Sequence, residues 1–332
     1  MVGLGLAGLV FAATFHFSVV SAVRRERRRG SPSSCEPESG EHIEGKGTIY
    51  TSLGLIGVGS YGRIIMAEDT IREKKFAIKV MNTSAVRRGL YAAFPKGMDK
   101  REVESMKMAA LNKNSGVIGL ESVFYLGPCV FMVMEWFDGS NIFNVEMDEV
   151  EAKYAFWQLA VTMKKVHDNG IVHLDISDDN VLYNPKRMKV KVIDFGVARG
   201  INEPIQGRVG TGAYIPPEAS KKIKIKGNET YIPYQGAPKD VWSMGILLHG
   251  MLTKKKPTVA KDKVSLHAVD LSTGANALIE RMLTVSPNNR ITSSEILDDP
   301  WMQNVKKPNR TTVDKSCTLL GKMGHAVSKL CS

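Results

Sequence analysis

The chain has little cysteine: of its 332 residues only Cys35, Cys129, Cys317 and Cys331 are of this type. The closely spaced pairs typical of zinc sites are absent, and so is the regular spacing of a disulfide framework. We therefore expect neither a zinc module nor a disulfide-stapled fold. This use of cysteine favours a reducing compartment.

The sequence also lacks a recognisable nucleic-acid-binding module, although it is basic. Lysine and arginine total 45 against 34 aspartate and glutamate residues, which gives a net charge of +11. Such an excess alone would permit a nucleic-acid or anionic-membrane partner. Much of it lies towards the two ends, in residues 24–29 and in lysines after Gln303. We therefore expect no nucleic-acid partner.

Charged residues are absent from residues 1–23, a stretch long enough for the roughly 20 apolar residues of a membrane-spanning helix. Basic residues follow at 24–29, an order that favours a retained membrane anchor with the following domain on the cytosolic side. The alternative is a signal peptide cleaved near Val20-Ser21-Ala22, which would give a secreted protein. A start-site error or another targeting peptide would leave the same string.

Large apolar residues are scarce between Gly30 and Gly47, where serine, proline, glutamate and glycine dominate. This composition is typical of a linker. We predict a basic and then polar linker over 24–47, and a basic tail over 306–332. The chain as a whole is 43% apolar, which is ample for a packed core in the remaining span.

Carboxylates and a carboxamide are concentrated in two short segments of the second half of the chain. Residues 173–180 read His-Leu-Asp-Ile-Ser-Asp-Asp-Asn, and residues 193–196 read Ile-Asp-Phe-Gly. Phosphoryl transfer needs one carboxylate near the attacking hydroxyl and further oxygen ligands for magnesium, a hard cation. Asp175, Asn180 and Asp194 supply that set.

A glycine-rich stretch lies upstream, with Gly57, Gly59 and Gly62 in a G-x-G-x-x-G pattern. Glycines allow a tight turn and a close approach of the backbone to phosphate. The pattern also marks dinucleotide-binding turns that open a helix. Here two short apolar runs follow, residues 63–68 and 75–81, and they predict a hairpin instead.

These motifs, with four others in the same order, resemble the eukaryotic protein kinase superfamily from Leu55 to Trp301. The others are Phe76-Ala77-Ile78-Lys79, the A-P-E-like Pro216-Pro217-Glu218, the D-x-W-x-x-G match at 240–245, and Arg290. The resemblance implies a two-lobed α+β fold, with an antiparallel sheet and one main helix in the small lobe and a mainly helical large lobe. It places the domain at 48–305, with the small lobe at 48–134, the hinge at 135–140 and the large lobe at 141–305.

The resemblance also implies the residues of the reaction, with ATP and Mg²⁺ as cofactors and a protein as substrate. Asp175 would orient the substrate hydroxyl and accept its proton, while Asn180 and Asp194 would hold magnesium. Lys79 would contact the α and β phosphates and pair with a glutamate of the next helix. We choose Glu102 over Glu104, because Met106 then takes the apolar place one helical turn later.

The nucleotide would lie between the glycine-rich loop and the hinge. Adenine would bond to the Glu135 carbonyl and the Phe137 amide, with Met134 behind it as the gatekeeper. The nucleotide-binding residues implied by the resemblance are Ile56, Gly57, Val58, Gly59, Ser60, Tyr61, Gly62, Arg63, Ile64, Ala77, Lys79, Glu135, Phe137 and Leu182.

Two further features favour a protein kinase that acts on serine or threonine. The pairing of Glu218 with Arg290 is implied by the resemblance, since a buried carboxylate needs such a partner. Thr211 stands where Ser/Thr-specific kinases keep a threonine that bridges to the catalytic aspartate. His173 is expected to pack under Phe195 and to take no part in the chemistry.

Two positions of the catalytic loop depart from the family pattern. Leu174 replaces the usual arginine, and Ser177 replaces the usual lysine. Residues 197–210 contain no serine, threonine or tyrosine. Since the arginine would bind a phosphorylated activation loop, we predict activity without phosphorylation in that stretch. The H-L-D form is similar to apicomplexan kinases of the FIKK group, which typically lack a proper glycine-rich loop.

The missing lysine leaves an alternative function open. It would normally neutralise charge on the γ phosphate, and loss of such a charge clamp can cost on the order of a hundredfold in rate. A nucleotide-binding pseudokinase that regulates a partner is therefore the second hypothesis. A third is a membrane-tethered docking protein whose basic stretches bind anionic lipid.

Overall fold

The computed structural model describes residues 35, 37–59, 62–82, 97–109, 116–225, 227–260, 263–266 and 271–308. It confirms the predicted two-lobed α+β architecture. The first lobe contains strands β1 (His42–Gly45), β2 (Thr48–Gly59), β3 (Gly62–Asp69), β4 (Lys74–Asn82), β5 (Leu120–Leu126) and β6 (Cys129–Glu135), and helix α1 (Met98–Ala109).

The small lobe is built on one antiparallel sheet in the order β1-β2-β3-β4-β6-β5. The hairpin predicted after the glycine-rich stretch is confirmed by β3 and β4, which pair from Arg63 opposite Val80 to Asp69 opposite Lys74. Phe76, Ile78 and Val80 on β4 are buried, so alternate residues of this strand form part of the lobe's core.

Strand β2 is irregular where the glycine-rich stretch begins. Its pairing with β3 shifts register between Ser52 and Gly54 and again between Leu55 and Gly57. Gly54 has φ +123°, a backbone conformation that glycine adopts without strain. Such bulges bend a strand and increase its twist, which directs the end of β2 over the space between the lobes.

Ordered structure begins upstream of the predicted domain start at residue 48. Strand β1 pairs with β2 from His42 opposite Thr51 to Gly45 opposite Thr48, and it buries Ile43. The linker prediction for 24–47 is therefore wrong for these residues. A single large apolar residue in a polar stretch was too weak a pattern to predict a strand.

Cys35 and Cys129 form a disulfide across 94 residues of sequence. The expectation that the cysteines form no disulfide is wrong for this pair. The bond joins the segment before β1 to the first residue of β6, and both cysteines are buried in the small-lobe core. The reducing compartment inferred from cysteine usage loses its support, because structural disulfides persist in oxidising surroundings.

Loss of this disulfide is expected to lower the free energy of unfolding by about 2–4 kcal/mol, since the bond restricts the unfolded chain. Urea unfolding with and without reductant measures the change, and the Cys35→Ser variant serves as the control that reductant should not affect. Alkylation of both Cys35 and Cys129 in the folded, unreduced protein would contradict the pairing.

The large lobe contains five further pairs or triplets of short strands and four helices within the described residues. The strands are β7 (Ser140–Asn141), β8 (Ile171–Val172), β9 (Val181–Asn184), β10 (Lys189–Val192), β11 (Arg199–Gly200), β12 (Lys222–Ile225), β13 (Asn228–Tyr231), β14 (Thr258–Ala260) and β15 (Lys263–Ser265). The helices are α2 (Glu149–Asp168), α3 (Gly236–Thr253), α4 (Thr273–Met282) and α5 (Ser293–Asp298).

Two of these helices were predicted from the sequence and are confirmed. Helix α2 begins after Asp148, whose side chain accepts a hydrogen bond from the Glu151 amide, and it ends at Asn169 before Gly170. Helix α3 runs through the lobe's interior, and the residues from Met244 to Leu248 are fully buried. This rigid interior supports the loops at which the candidate site is built.

The segment from Ala219 to Lys239, predicted as a surface loop or partner surface, contains the hairpin β12-β13. Lys222 pairs with Tyr231, and Ile225 pairs with Asn228. The alternation of lysine and isoleucine over 222–225 is a period-2 pattern that could have predicted this strand.

Within the described residues, no helix is long and apolar enough to span a membrane. The predicted anchor at 1–23, the basic residues 24–29 and most of the tail at 306–332 lie outside the described residues. The surface loop predicted between residues 82 and 99 also lies mainly outside them.

Candidate active site

A cavity of about 740 Å³ lies between the two lobes. Its small-lobe wall includes the end of β2, β3 and β4, and its large-lobe wall includes the loop between β8 and β9 and the residues that follow β10. Asp175, Asn180, Asp194, Lys79 and Glu102 all line it. The structure thus brings every predicted catalytic and metal-binding residue to one cavity.

Lys79 joins the two lobes within this cavity. Its Nζ lies 2.7 Å from Glu102 Oε1 on α1 and 2.9 Å from Asp194 Oδ1 in the large lobe. Glu102 is buried, whereas Glu104 is exposed, so the structure places the chosen glutamate on Lys79. Burial alone would lower the pKa of Lys79, but the charges of Glu102 and Asp194 raise it well above its usual range. The lysine is therefore a fixed cation.

Asp175 lies in the loop between β8 and β9, and two side chains hold its carboxylate. Thr211 Oγ1 donates a hydrogen bond to Oδ1 at 2.8 Å, and Asn180 Nδ2 donates to Oδ2 at 3.1 Å. Burial raises the pKa of the Asp175 carboxyl, while the hydrogen bond from Thr211 opposes that shift. The carboxylate is thus held in one orientation beside the cavity.

The backbone that carries Asp175 is fixed from below by Asp240 on α3. Asp240 Oδ2 accepts a hydrogen bond from the His173 amide and Oδ1 accepts one from the Leu174 amide, both at 2.8 Å. Leu174 has φ +67°, a left-handed conformation that costs a non-glycine residue energy. Such a conformation persists because its surroundings determine it, and here a buried carboxylate contributes.

His173 packs against Phe195 as expected, with ring centroids 4.6 Å apart at an angle of 60°. Its Nε2 lies 3.0 Å from the Ile193 carbonyl oxygen, and its Nδ1 accepts a hydrogen bond from the Asp175 amide at 3.1 Å. Both ring nitrogens are thus used in linking the loop of Asp175 to the segment of Asp194.

Asp194 and Asn180 supply oxygen atoms suited to magnesium. The backbone connects them, since the Ile193 amide donates a hydrogen bond to the Asn180 carbonyl at 3.0 Å. Burial alone would raise the pKa of Asp194, but Lys79 lowers it, so the carboxylate is ionised. Among the described residues no cluster of three or more His, Cys, Asp or Glu side chains could hold a metal. Two ligands nevertheless fit magnesium, which is commonly bound by one or two side chains together with substrate phosphates and water.

The predicted nucleotide-binding residues fall into three groups. Lining the cavity are Ile56, Gly57, Val58, Gly59, Ile64, Ala77, Lys79, Glu135, Phe137 and Leu182. Gly62 and Arg63 do not line it, and Ser60 and Tyr61 lie outside the described residues. Gly62 is needed for packing, because a Cβ there would lie 2.5 Å from the Val80 carbonyl oxygen on β4.

At the hinge, the side chain of Glu135 turns away from the predicted role of its carbonyl. Its Oε1 lies 2.5 Å from Lys191 Nζ and accepts a hydrogen bond from the Gly119 amide at 2.8 Å. These contacts tie the hinge to the large lobe through β10. Gatekeeper candidate Met134 lines the cavity and is nearly buried.

Several cavity residues were not predicted from the sequence. They are Ile118, Trp136, Gly139, Asp179 and Ile193. Ile193 directly precedes Asp194, so its place in the motif was a usable signal. Ile118 comes from the segment before β5, and only the fold brings it to the cavity.

Ser177, which stands where the family keeps a lysine, is completely buried. Its hydroxyl oxygen has no hydrogen-bond partner within the described residues. Unpartnered buried hydroxyls are costly, and the position lines the cavity beside Asn180. A ligand atom or a water entering the cavity would satisfy it.

Glu218 and Arg290 form a buried ion pair that fixes the end of the activation segment to the large lobe. Two hydrogen bonds join them, from Nη1 to Oε1 at 2.7 Å and from Nη2 to Oε2 at 3.0 Å. Arg290 also lies over the Trp242 ring, 4.9 Å from its centroid. This bidentate geometry is the strong form of the arginine–carboxylate interaction.

Comparison with known families assigns this geometry to a class. The model of the family described as protein kinase domain matches residues 50–302, and the chain belongs to that family. The match lies within the predicted domain at 48–305.

Similar proteins are serine/threonine-type kinases. The chain is 28% identical to CBL-interacting protein kinase 31 and 30% identical to CBL-interacting protein kinase 9, both of Oryza sativa subsp. japonica, in each case over 76% of this chain. It is 26% identical to serine/threonine-protein kinase cds1 of Schizosaccharomyces pombe over 82% of this chain. The alignments cover 57%, 56% and 63% of those relatives. The chain thus spans less than two thirds of their length.

Proposed function

We propose that this chain is an active protein kinase that transfers the γ-phosphoryl group of ATP, with Mg²⁺, to serine or threonine of protein substrates. The observation that carries the proposal is the joining of Lys79, Glu102 and Asp194 in one ion-paired group at the cavity that Asp175 also lines. This is the arrangement required to hold phosphates and metal beside a base.

Within this proposal each side chain has a distinct task. Lys79 binds the α and β phosphates, and Asp194 and Asn180 hold the magnesium that neutralises phosphate charge when bound. Asp175 orients the acceptor hydroxyl and accepts its proton. The hinge at Glu135 and Phe137 positions adenine.

Thr211 supports serine or threonine as the acceptor. Its hydroxyl donates to Asp175 at 2.8 Å, so the segment that would receive substrate is tied to the proposed base. The similarity to serine/threonine kinases points the same way.

The test is transfer from γ-labelled ATP to a generic protein substrate, followed by identification of the labelled amino acid. The full chain with magnesium should produce phosphoserine or phosphothreonine, and Asp194→Ala should abolish the label. Label on tyrosine would contradict the acceptor class. Nucleotide binding without any transfer would favour the pseudokinase, which the absence of a lysine at Ser177 keeps as the second candidate.

We also propose that activity needs no phosphorylation in residues 197–210. Leu174 is buried in an apolar cluster with Val172, Ile205, Ala219 and Tyr234, against which Val197 and Val209 pack. Apolar packing on the activation segment therefore occupies the place where an arginine would bind a phosphate.

Phosphatase treatment of the purified chain is expected to leave kcat within about twofold of the untreated value, since no acceptor lies in that stretch. Mass spectrometry of the same sample should show residues 197–210 unmodified before and after treatment. Loss of activity that tracks removal of a phosphate from this stretch would contradict the proposal.

For localisation, the disulfide between Cys35 and Cys129 favours the secretory alternative over the cytosolic one. We propose that the kinase domain folds in an oxidising compartment, with residues 1–23 as the signal or anchor that brings it there. Fractionation of cells expressing the full chain with a C-terminal tag tests this: a protease-protected domain supports the proposal and a protease-accessible cytosolic domain contradicts it.

A further inference from the structure

Lys239 is a lysine whose side chain is completely buried, which is rare for this residue type. It lies in the first turn of α3, and its Nζ donates a hydrogen bond to the Leu174 carbonyl oxygen at 2.6 Å. Burial penalises an ammonium, and the positive end of a helix dipole repels it. The position is therefore electrostatically costly unless neighbouring groups compensate it.

Three carboxylates surround this ammonium. Burial lowers the pKa of Lys239, and the charges of Asp240, Asp175 and Glu218 oppose that shift. Two of the three belong to the framework already described, since Asp240 holds the backbone at Leu174 and Glu218 pairs with Arg290. Lys239 thus lies at the centre of the charged groups that support the catalytic loop.

Gly210 shows how close the ammonium lies to the proposed base. A Cβ on this glycine would lie 2.6 Å from the Leu174 carbonyl oxygen, 3.0 Å from Lys239 Nζ and 3.3 Å from Asp175 Oδ1. Gly210 also has φ +97°, which disfavours other residues. The missing side chain allows the activation segment to close over Lys239 and Asp175 together.

Neighbouring residues of α3 hold Leu174 at both of its backbone polar groups. Asp240 accepts from its amide at 2.8 Å, and Lys239 donates to its carbonyl at 2.6 Å. Leu174 is the residue in the left-handed conformation, with φ +67°, that directly precedes Asp175. Two side chains of opposite charge thus fix the peptide from which Asp175 projects.

The loop itself carries no cation at the two places where the family has one, Leu174 and Ser177. We propose that Lys239 is a positioning residue for phosphoryl transfer, which fixes the Leu174 carbonyl and through it the orientation of Asp175. The inference rests on the proposed kinase function and deepens it. Lys239 does not line the cavity, so it acts through the loop and not by contact with the nucleotide.

The variant Lys239→Met removes the charge and the donor while filling similar space. Replacement of a buried ion by an apolar side chain commonly preserves stability, so the fold should survive. We expect kcat to fall by about 10- to 100-fold, as for a small misplacement of a catalytic group. The KM for ATP should change by less than about threefold, because nucleotide contacts remain.

Lys254→Met is the matched control at the other end of α3. Lys254 Nζ also donates to backbone carbonyls, those of Phe143 and Val145, away from the cavity. Its loss should change kcat by less than about twofold. Lys239→Gln, which keeps a donor on a shorter side chain, should recover part of the kcat lost in Lys239→Met.

Amide hydrogen exchange of the full chain provides a readout that does not depend on transfer. In Lys239→Met the amides of residues 173–180 should exchange at least about tenfold faster, while those of α2 stay unchanged. Unchanged exchange in the loop would overturn the inference, and so would an equal rise throughout the domain, which indicates a merely structural lysine. A normal kcat in Lys239→Met would overturn it as well. Failure of the wild-type chain to transfer phosphate would instead refute the proposed function, and loop exchange would still decide the role of Lys239.

Discussion

Asp175→Asn is expected to reduce kcat by about 10²- to 10⁴-fold, the range that a positioned general base contributes. The substitution keeps the shape of the side chain, and Thr211 can still donate to the remaining carbonyl oxygen. The negative charge and the ability to accept a proton are lost. The KM for ATP should change by less than about threefold, because Asp175 acts on the acceptor and not on the nucleotide.

Steady-state kinetics with a serine peptide measures both parameters. Asp168→Asn is the control, since Asp168 lies at the exposed end of α2 and pairs only with Lys164 across one helical turn in the described contacts. This control should behave as the wild type. An Asp175→Asn enzyme with more than about a tenth of wild-type kcat would contradict the role given to Asp175.

Arg290→Met should lower the free energy of unfolding by about 3–5 kcal/mol, because it leaves the carboxylate of Glu218 buried without its partner. Arg290 is fully buried and also donates hydrogen bonds to the carbonyl oxygens of Thr284 and Pro238. The loss therefore exceeds that of a surface ion pair. Urea unfolding monitored by circular dichroism measures it.

Two comparisons separate the ion pair from the other contacts of Arg290. The double variant Glu218→Gln with Arg290→Met should recover part of the stability, since no uncompensated charge remains buried. Lys164→Met, which breaks the exposed pair with Asp168, should cost less than about 1 kcal/mol. A double variant less stable than Arg290→Met alone would show that the buried charge is not the cause.

The sequence was most informative where several residues of one reaction lie close together. The segments at 173–180 and 193–196 predicted Asp175, Asn180 and Asp194, and the structure brings these side chains to one cavity. The two-lobed fold followed from the resemblance. Helix α2 followed from apolar residues at helical spacing, with Asn169 and Gly170 as its stop.

Features that depend on distant parts of the chain were not predictable. The disulfide joins cysteines 94 residues apart, with no local pattern to link them. The role of Lys239 was hidden by its neighbour, because the motif at 240–245 draws attention to Asp240. Burial of Lys239 against the Leu174 carbonyl is a property of the packed lobe alone.

Strand β1 illustrates a different limit. Its pairing with β2 buries Ile43 and Gly45, yet its four residues include two charged or titratable side chains and a glycine. Such a short strand is stabilised by the sheet edge it extends rather than by its own propensity. A composition typical of a linker thus concealed a part of the small lobe.

The most direct test of the central claim is a single-turnover measurement of γ-phosphoryl transfer from ATP to a serine peptide by the full chain with magnesium. Enzyme is in excess over nucleotide, so that product release cannot mask the chemical step. The account predicts phosphopeptide formation that is lost in Asp175→Asn and in Asp194→Ala. Saturated nucleotide binding with no phosphopeptide above the Asp175→Asn background would contradict it.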